Sequence, residues 1–164
     1  MKYLVKKGEM QQYDTNTMEV FGMPPLVLIE RAALAAVEEL EHDGLPEHAR
    51  ILIAAGTGNN GADGLVMARL LHLKGHTVQV ILAGKRTKAT PENRTQLQIA
   101  QNYGVQTVDA EVWMEAAHEG NAYDIVLDAV FGVGLSRRIE GVYASLIEQL
   151  NQLQAKKVAV DIPS

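Results

Sequence analysis

The chain has 164 residues, 47% hydrophobic and 21% charged, which suits one soluble domain with a core of its own. Its formal net charge of −5, with no stripe of Lys and Arg, argues against duplex nucleic acid as the main partner. No apolar run is long enough to span a bilayer or serve as a signal peptide. The absence of cysteine excludes disulfides, thiolate nucleophiles and thiolate metal sites, and a cytoplasmic protein fits best.

In chain order, residues 8–20 read as a short helix broken by Phe21-Gly22-Met23-Pro24-Pro25. Residues 26–41 are rich in helix formers, with Leu26, Ile29, Ala33, Val37 and Leu40 at helical spacing. Ile51-Leu52-Ile53-Ala54-Ala55 is a buried strand ending in glycines, followed by a helix over 65–74 that Gly75 closes. Residues 77–82 form a second strand. Thr90 caps a helix opened by Pro91 and stopped by Gly104. A third strand follows at 105–108, a fourth at 125–127 ending in Asp128, a helix at 142–153, and a last strand at 158–160 ending in Asp161. Apolar strands alternating with helices imply an α/β, Rossmann-like three-layer αβα sandwich with a mostly parallel central sheet. The whole of 1–164 reads as one domain, with N-terminal helices over about 8–42 and the core from about 50. A chain stopping at a strand's carboxyl edge suggests a fragment cut short at its C-terminus.

In open α/β sheets, ligands bind outside the carboxyl ends of the strands. Gly56, Gly58 and Gly61 satisfy the G-x-G-x-x-G dinucleotide fingerprint after a strand and before a helix. Two features argue against an ordinary dehydrogenase. The second strand ends in Ala83-Gly84-Lys85-Arg86, with no acid for a ribose hydroxyl; these cations either meet a 2′-phosphate or are solvated. Asp63 lies in the first helical turn, where its carboxylate repels a pyrophosphate. It is either a helix-start residue or a partner for neutral hydroxyls or an amide. Asp128, Asp161, Asn60 and Ser164 offer hard oxygen ligands, suited to an alkali or alkaline-earth cation rather than zinc. Arg137 and Arg138 follow Gly132 and Gly134 in a second glycine-rich turn, which suits phosphate binding, or else form a solvated pair. The five histidines show no ligand spacing shared with carboxylates, and Met18, Met23 and Met67 read as core filler.

Taken in order, Gly56-Thr57-Gly58-Asn59-Asn60-Gly61-Ala62-Asp63-Gly64, then Asp128-Ala129-Val130-Phe131-Gly132-Val133-Gly134-Leu135, then Val160-Asp161-Ile162-Pro163-Ser164 resemble the NAD(P)H-hydrate epimerase family. Met10, Asp14 and Leu28-Ile29-Glu30-Arg31-Ala32 resemble its opening helices. Ala62 stands where a second glycine is usual, and Ala33 where a glycine is common. The resemblance implies interconversion of the R and S epimers of hydrated NADH and NADPH. It implies substrate binding by Asn59, Asn60, Gly61, Ala62 and Asp63, by Gly132, Val133, Gly134, Leu135, Ser136, Arg137 and Arg138, and by Asp161. It also implies a potassium ion on Asn60, Asp128 and Ser164. Asp161 is the expected catalytic acid–base, with Asp63 as its alternate or orienting partner. A homodimer and a fused ADP- or ATP-dependent dehydratase are the partners expected. The rival readings are an NAD(P)-dependent oxidoreductase and a non-catalytic binding module, for a dinucleotide or in RNA metabolism.

Overall fold

Apolar side chains on both faces of the central strands make the molecule three layers thick. The computed structural model describes residues 7–116, 122–135 and 138–164. Its strands are β1 (Arg50–Ala55), β2 (Thr77–Leu82), β3 (Gln106–Asp109), β4 (Ile125–Ala129) and β5 (Lys156–Ala159). Its helices are α1 (Lys7–Glu19), α2 (Pro25–His42), α3 (Asn59–Leu73), α4 (Pro91–Asn102), α5 (Ala110–Glu115) and α6 (Val142–Gln152), with a 3₁₀ turn at Arg86–Lys88. The strands form one sheet in the order β3-β2-β1-β4-β5, and every pairing is parallel.

Strand alternation sorts the core into two sides. Ile51 and Ile53 of β1, with Val78 and Val80 of β2, pack against Ile29, Ala33 and Val37 of α2 and Leu65, Ala68 and Leu71 of α3. The opposite side carries Leu52, Ala54, Ile81 and Val126 against Trp113 of α5 and Leu146 and Leu150 of α6. The N-terminal α1 belongs to neither cluster. None of its described side chains is buried, and no described helix is long and apolar enough to cross a membrane.

The helix after β1 begins at Asn59, six residues before the sequence reading places it. Gly61 and Gly64 are poor helix formers, yet both are buried within α3. A Cβ on Gly61 would run into the Gly56 carbonyl, so close packing outweighs propensity there. Asp63 is thus the fifth helical residue, and the first turn of α3 holds no acid. The helix-start reading of Asp63 is corrected accordingly.

Other bounds also shift. β4 runs through Asp128 to Ala129, whereas β5 ends at Ala159, two residues short of Asp161. α5 and the 3₁₀ turn have no counterpart in the sequence reading. Thr90 caps α4 as expected, its side chain accepting from the Asn93 N–H at 3.2 Å. Met67 is core, but Met23 is 38% exposed, just beyond α1.

Candidate active site

The sheet order fixes where a site can form. The chain lays β1, β2 and β3 to one side, then returns to place β4 and β5 on the other side of β1. The crevice at such a reversal lies beyond the carboxyl ends of β1 and β4. Gly56 ties these ends together, its N–H donating to the Ala129 carbonyl at 3.0 Å. Beyond it opens a cleft of about 830 Å³ between the α3 start, the 130–135 loop and the segment after β5.

Three polar threads hold the walls. Asn60 Nδ2 donates to the Phe131 carbonyl at 2.6 Å, joining the first glycine turn to the second. Asp128 accepts from the Val130 N–H at 3.1 Å and from the Ser164 N–H at 2.7 Å, while Ser164 Oγ accepts from the Phe131 N–H at 3.1 Å. Asp161 accepts from the Val133 N–H at 2.8 Å. Its carboxylate lies so close to Gly132 that a Cβ there would stand 2.5 Å from Oδ2, which explains a glycine at that position.

A fourth thread comes from α4, and the sequence reading missed it. The buried Asn93 donates through Nδ2 to the Gly56 carbonyl at 3.0 Å and the Gly58 carbonyl at 2.9 Å. Thr90 Oγ1 reaches Asn59 Oδ1 at 3.0 Å, and the Thr90 N–H donates to the Thr57 carbonyl at 3.0 Å. These residues lie more than 30 positions from the turn they hold, so no local pattern marks them.

Electrostatics single out Asp63. Burial, and then the charge of Asp161, raise its carboxyl pKa from 3.8 to about 7. One carboxyl group of the cleft, that of Asp63, thus still holds a proton near neutrality, beside Asp161.

Of the residues singled out from the sequence, Asn59, Asn60, Asp63, Gly132, Val133, Gly134, Leu135 and Asp161 line this cleft, together with Met10 and Asp14 of α1. Gly61 is buried and Ala62 is fully covered by protein. Asp128 and Ser164 lie behind the Val130–Phe131 peptide, and Arg138 opens on an adjoining hollow. Ser136 and Arg137 lie outside the described residues. His72 and His76 line a hollow at the amino end of the sheet with Arg50, away from this cleft. His76 Nδ1 accepts the Ala49 N–H there at 3.1 Å.

Residues 25–164 match the family described as YjeF-related protein N-terminus. An NAD(P)H-hydrate epimerase of Limosilactobacillus reuteri is 40% identical over 98% of this chain and 73% of its own length. The chain belongs to the NAD(P)H-hydrate epimerase family. A Levilactobacillus brevis relative of the same name is 39% identical over the whole chain and 73% of its own length. The crystal structure of yeast YNL200c shares the fold, with a TM-score of 0.79 and 24% identity, over 99% of this chain and 71% of that one.

The fold explains this chain's two departures from the epimerase-family pattern. Ala62 is fully buried in the core, so its methyl faces away from the cleft. Ala33 is likewise fully buried, on the face of α2 that meets α3. Glu30, in the opening-helix segment, pairs with Arg69 of α3 at 2.6 Å and pins the two helices together.

Proposed function

We propose that the protein interconverts the R and S epimers of hydrated NADH and NADPH, with Asp161 at the reacting hydroxyl and Asp63 beside it. The observation that carries this reading is the cleft at the sheet's reversal, lined by both carboxyl groups and by the two glycine-rich turns. The hydrated ring carbon bears a hydroxyl and the ring nitrogen, so it is a carbinolamine. When a carboxyl group protonates the hydroxyl, the nitrogen lone pair expels water and leaves a planar iminium carbon. Water then adds to the opposite face and returns a proton to the carboxylate. Such a cycle needs a group present as both acid and base at neutral pH, and general acid–base help of this kind is worth roughly 10²–10⁴-fold. Asp161 acts directly, held in place by the Val133 N–H. Asp63, half-protonated near pH 7, lends Asp161 that proton at the start of the cycle and takes it back at the end.

Asn59 and Asn60, with the 132–138 segment, are the proposed substrate contacts, and Gly61 and Ala62 shape the turn from behind. A potassium ion suits the oxygen donors of Asn60, Asp128 and Ser164. Asn60 gives its amide nitrogen to Phe131, which leaves its oxygen as a ligand, and one carboxylate balances a monovalent charge. When bound, such an ion would supply positive charge and rigidity behind the Val130–Phe131 peptide. The proposed setting is the cytoplasm, where the S epimer passes to an ADP- or ATP-dependent dehydratase, fused or separate. The exposed Tyr13, Val20, Phe21 and Val27 favour a homodimer through the first two helices.

The test is to mix one purified epimer of hydrated NADPH with the protein and follow the ratio of epimers chromatographically. Exchange faster than in buffer alone, and faster in potassium than in sodium chloride, is expected. Exchange no faster than in buffer sinks the reading. Asp161→Asn is expected to slow exchange by at least ~10²-fold while dinucleotide binding stays measurable by calorimetry. Near-normal turnover in that variant removes Asp161 from the chemistry.

A further inference from the structure

Beside the cleft lies a second hollow of about 370 Å³, and the two adjoin, since Thr57, Phe131, Leu135 and Tyr143 line both. It sits beyond the carboxyl end of β2, where a dinucleotide fold ordinarily carries an acid for the ribose 2′-hydroxyl. No acid can stand at Gly84, two residues past the end of β2. Gly84 has φ +85°, and the Tyr143 hydroxyl closes on it so that any Cβ would collide. Arg86 is turned away, its Nη2 donating to the Ala83 carbonyl at 2.7 Å and the Gly84 carbonyl at 3.2 Å. The exposed Lys85, Lys88 and Arg138 line the hollow instead, with Glu111 and Glu140 as the acids among its lining.

The two compartments differ in charge. The cleft is lined by Asp14, Asp63 and Asp161, with no cation among its described lining residues. The hollow carries three cations and two carboxylates. A phosphate is repelled from the first and attracted to the second, and this electrostatic sorting orients a substrate that is neutral at its reacting ring and anionic elsewhere. We infer that the hollow receives the ribose of the substrate's adenosine half, with Lys85, Lys88 and Arg138 as counter-ions to a 2′-phosphate, so that hydrated NADPH is preferred over hydrated NADH. The inference rests on the reading of the cleft as the seat of the hydrated ring.

Two measurements test it separately from that reading. By calorimetry, the wild-type protein is expected to bind adenosine 2′,5′-bisphosphate about tenfold more tightly than adenosine 5′-monophosphate. Lys85→Gln/Lys88→Gln is expected to lose that margin, and Lys85→Arg/Lys88→Arg to keep it. In epimer exchange, the ratio of kcat/KM for the NADPH hydrate to that for the NADH hydrate is expected to fall about tenfold in the glutamine variant, through KM. The margin is also expected to shrink as salt is raised. Equal wild-type affinity for the two adenosine phosphates overturns the inference, and so does a margin that survives the glutamine variant. Failure of the wild-type protein to exchange epimers at all overturns the reading of the cleft, while the calorimetry still decides the hollow.

Discussion

Asp63 is the residue at which stability and chemistry oppose each other. Its pKa of about 7 in the folded protein, against 3.8 as the ordinary value, means the folded state holds the proton more tightly than the unfolded one. Stability is therefore full below about pH 4 and falls as pH rises through 7, by roughly 4 kcal/mol at the limit. Asp63→Asn, which cannot ionise, is expected to raise stability by roughly 2–4 kcal/mol at about pH 8 and by little at about pH 4, read from urea unfolding at both. An equal effect at both would show that the buried carboxylate is not the source. Gly132 is the complementary case. Gly132→Ala puts a methyl 2.5 Å from the Asp161 carboxylate, so exchange is expected to slow about tenfold or more while the melting temperature hardly moves. Asp161, Asp63 and Gly132 were all legible in the sequence as motif residues. Their relations were not, because the pairing of Asp63 with Asp161 spans nearly a hundred residues and depends on burial that periodicity does not report.

At the scale of elements, strands and long helices were legible because their apolar residues repeat at the period of the structure they form. β2 (Thr77–Leu82) matches the sequence expectation residue for residue. The start of α3 was not legible, since glycines and asparagines mark a turn by composition and become helix only because the Gly56 carbonyl packs against Gly61. α5 escaped because six residues with a single fully buried aromatic, Trp113, show no period. The hold of α4 on the glycine turn escaped for a different reason: Asn93 bonds across the fold to carbonyls rather than to its own helix. Asn93→Ala is expected to cost about 1–3 kcal/mol, since the Gly56 carbonyl loses this donor while the Gly58 carbonyl is left with the Ala62 N–H. It should also raise KM for either hydrate by loosening the turn. Unchanged stability in chemical denaturation would show that water replaces the amide at no cost.

For the whole molecule, the reversal between β1 and β4 gathers three distant motifs at one edge, and the order of strands and helices in the sequence already implied such an edge. Which side of the sheet each helix covers follows from strand alternation once the register is known. The two sides are unequal in one respect that matters for the bench. The chain's single tryptophan, Trp113, is 3% exposed and packs only on the α5–α6 side. Its emission is thus a built-in reporter of one layer, blue-shifted when that layer is intact and blind to the α2–α3 layer opposite. Far-UV circular dichroism, dominated by the longer helices α2 and α3, reports mainly the other side. Coincident denaturation curves from the two probes are expected if the sheet couples both layers into one cooperative unit. Separated midpoints would mean that the glycine turn and its partner loop can part company before the protein as a whole unfolds.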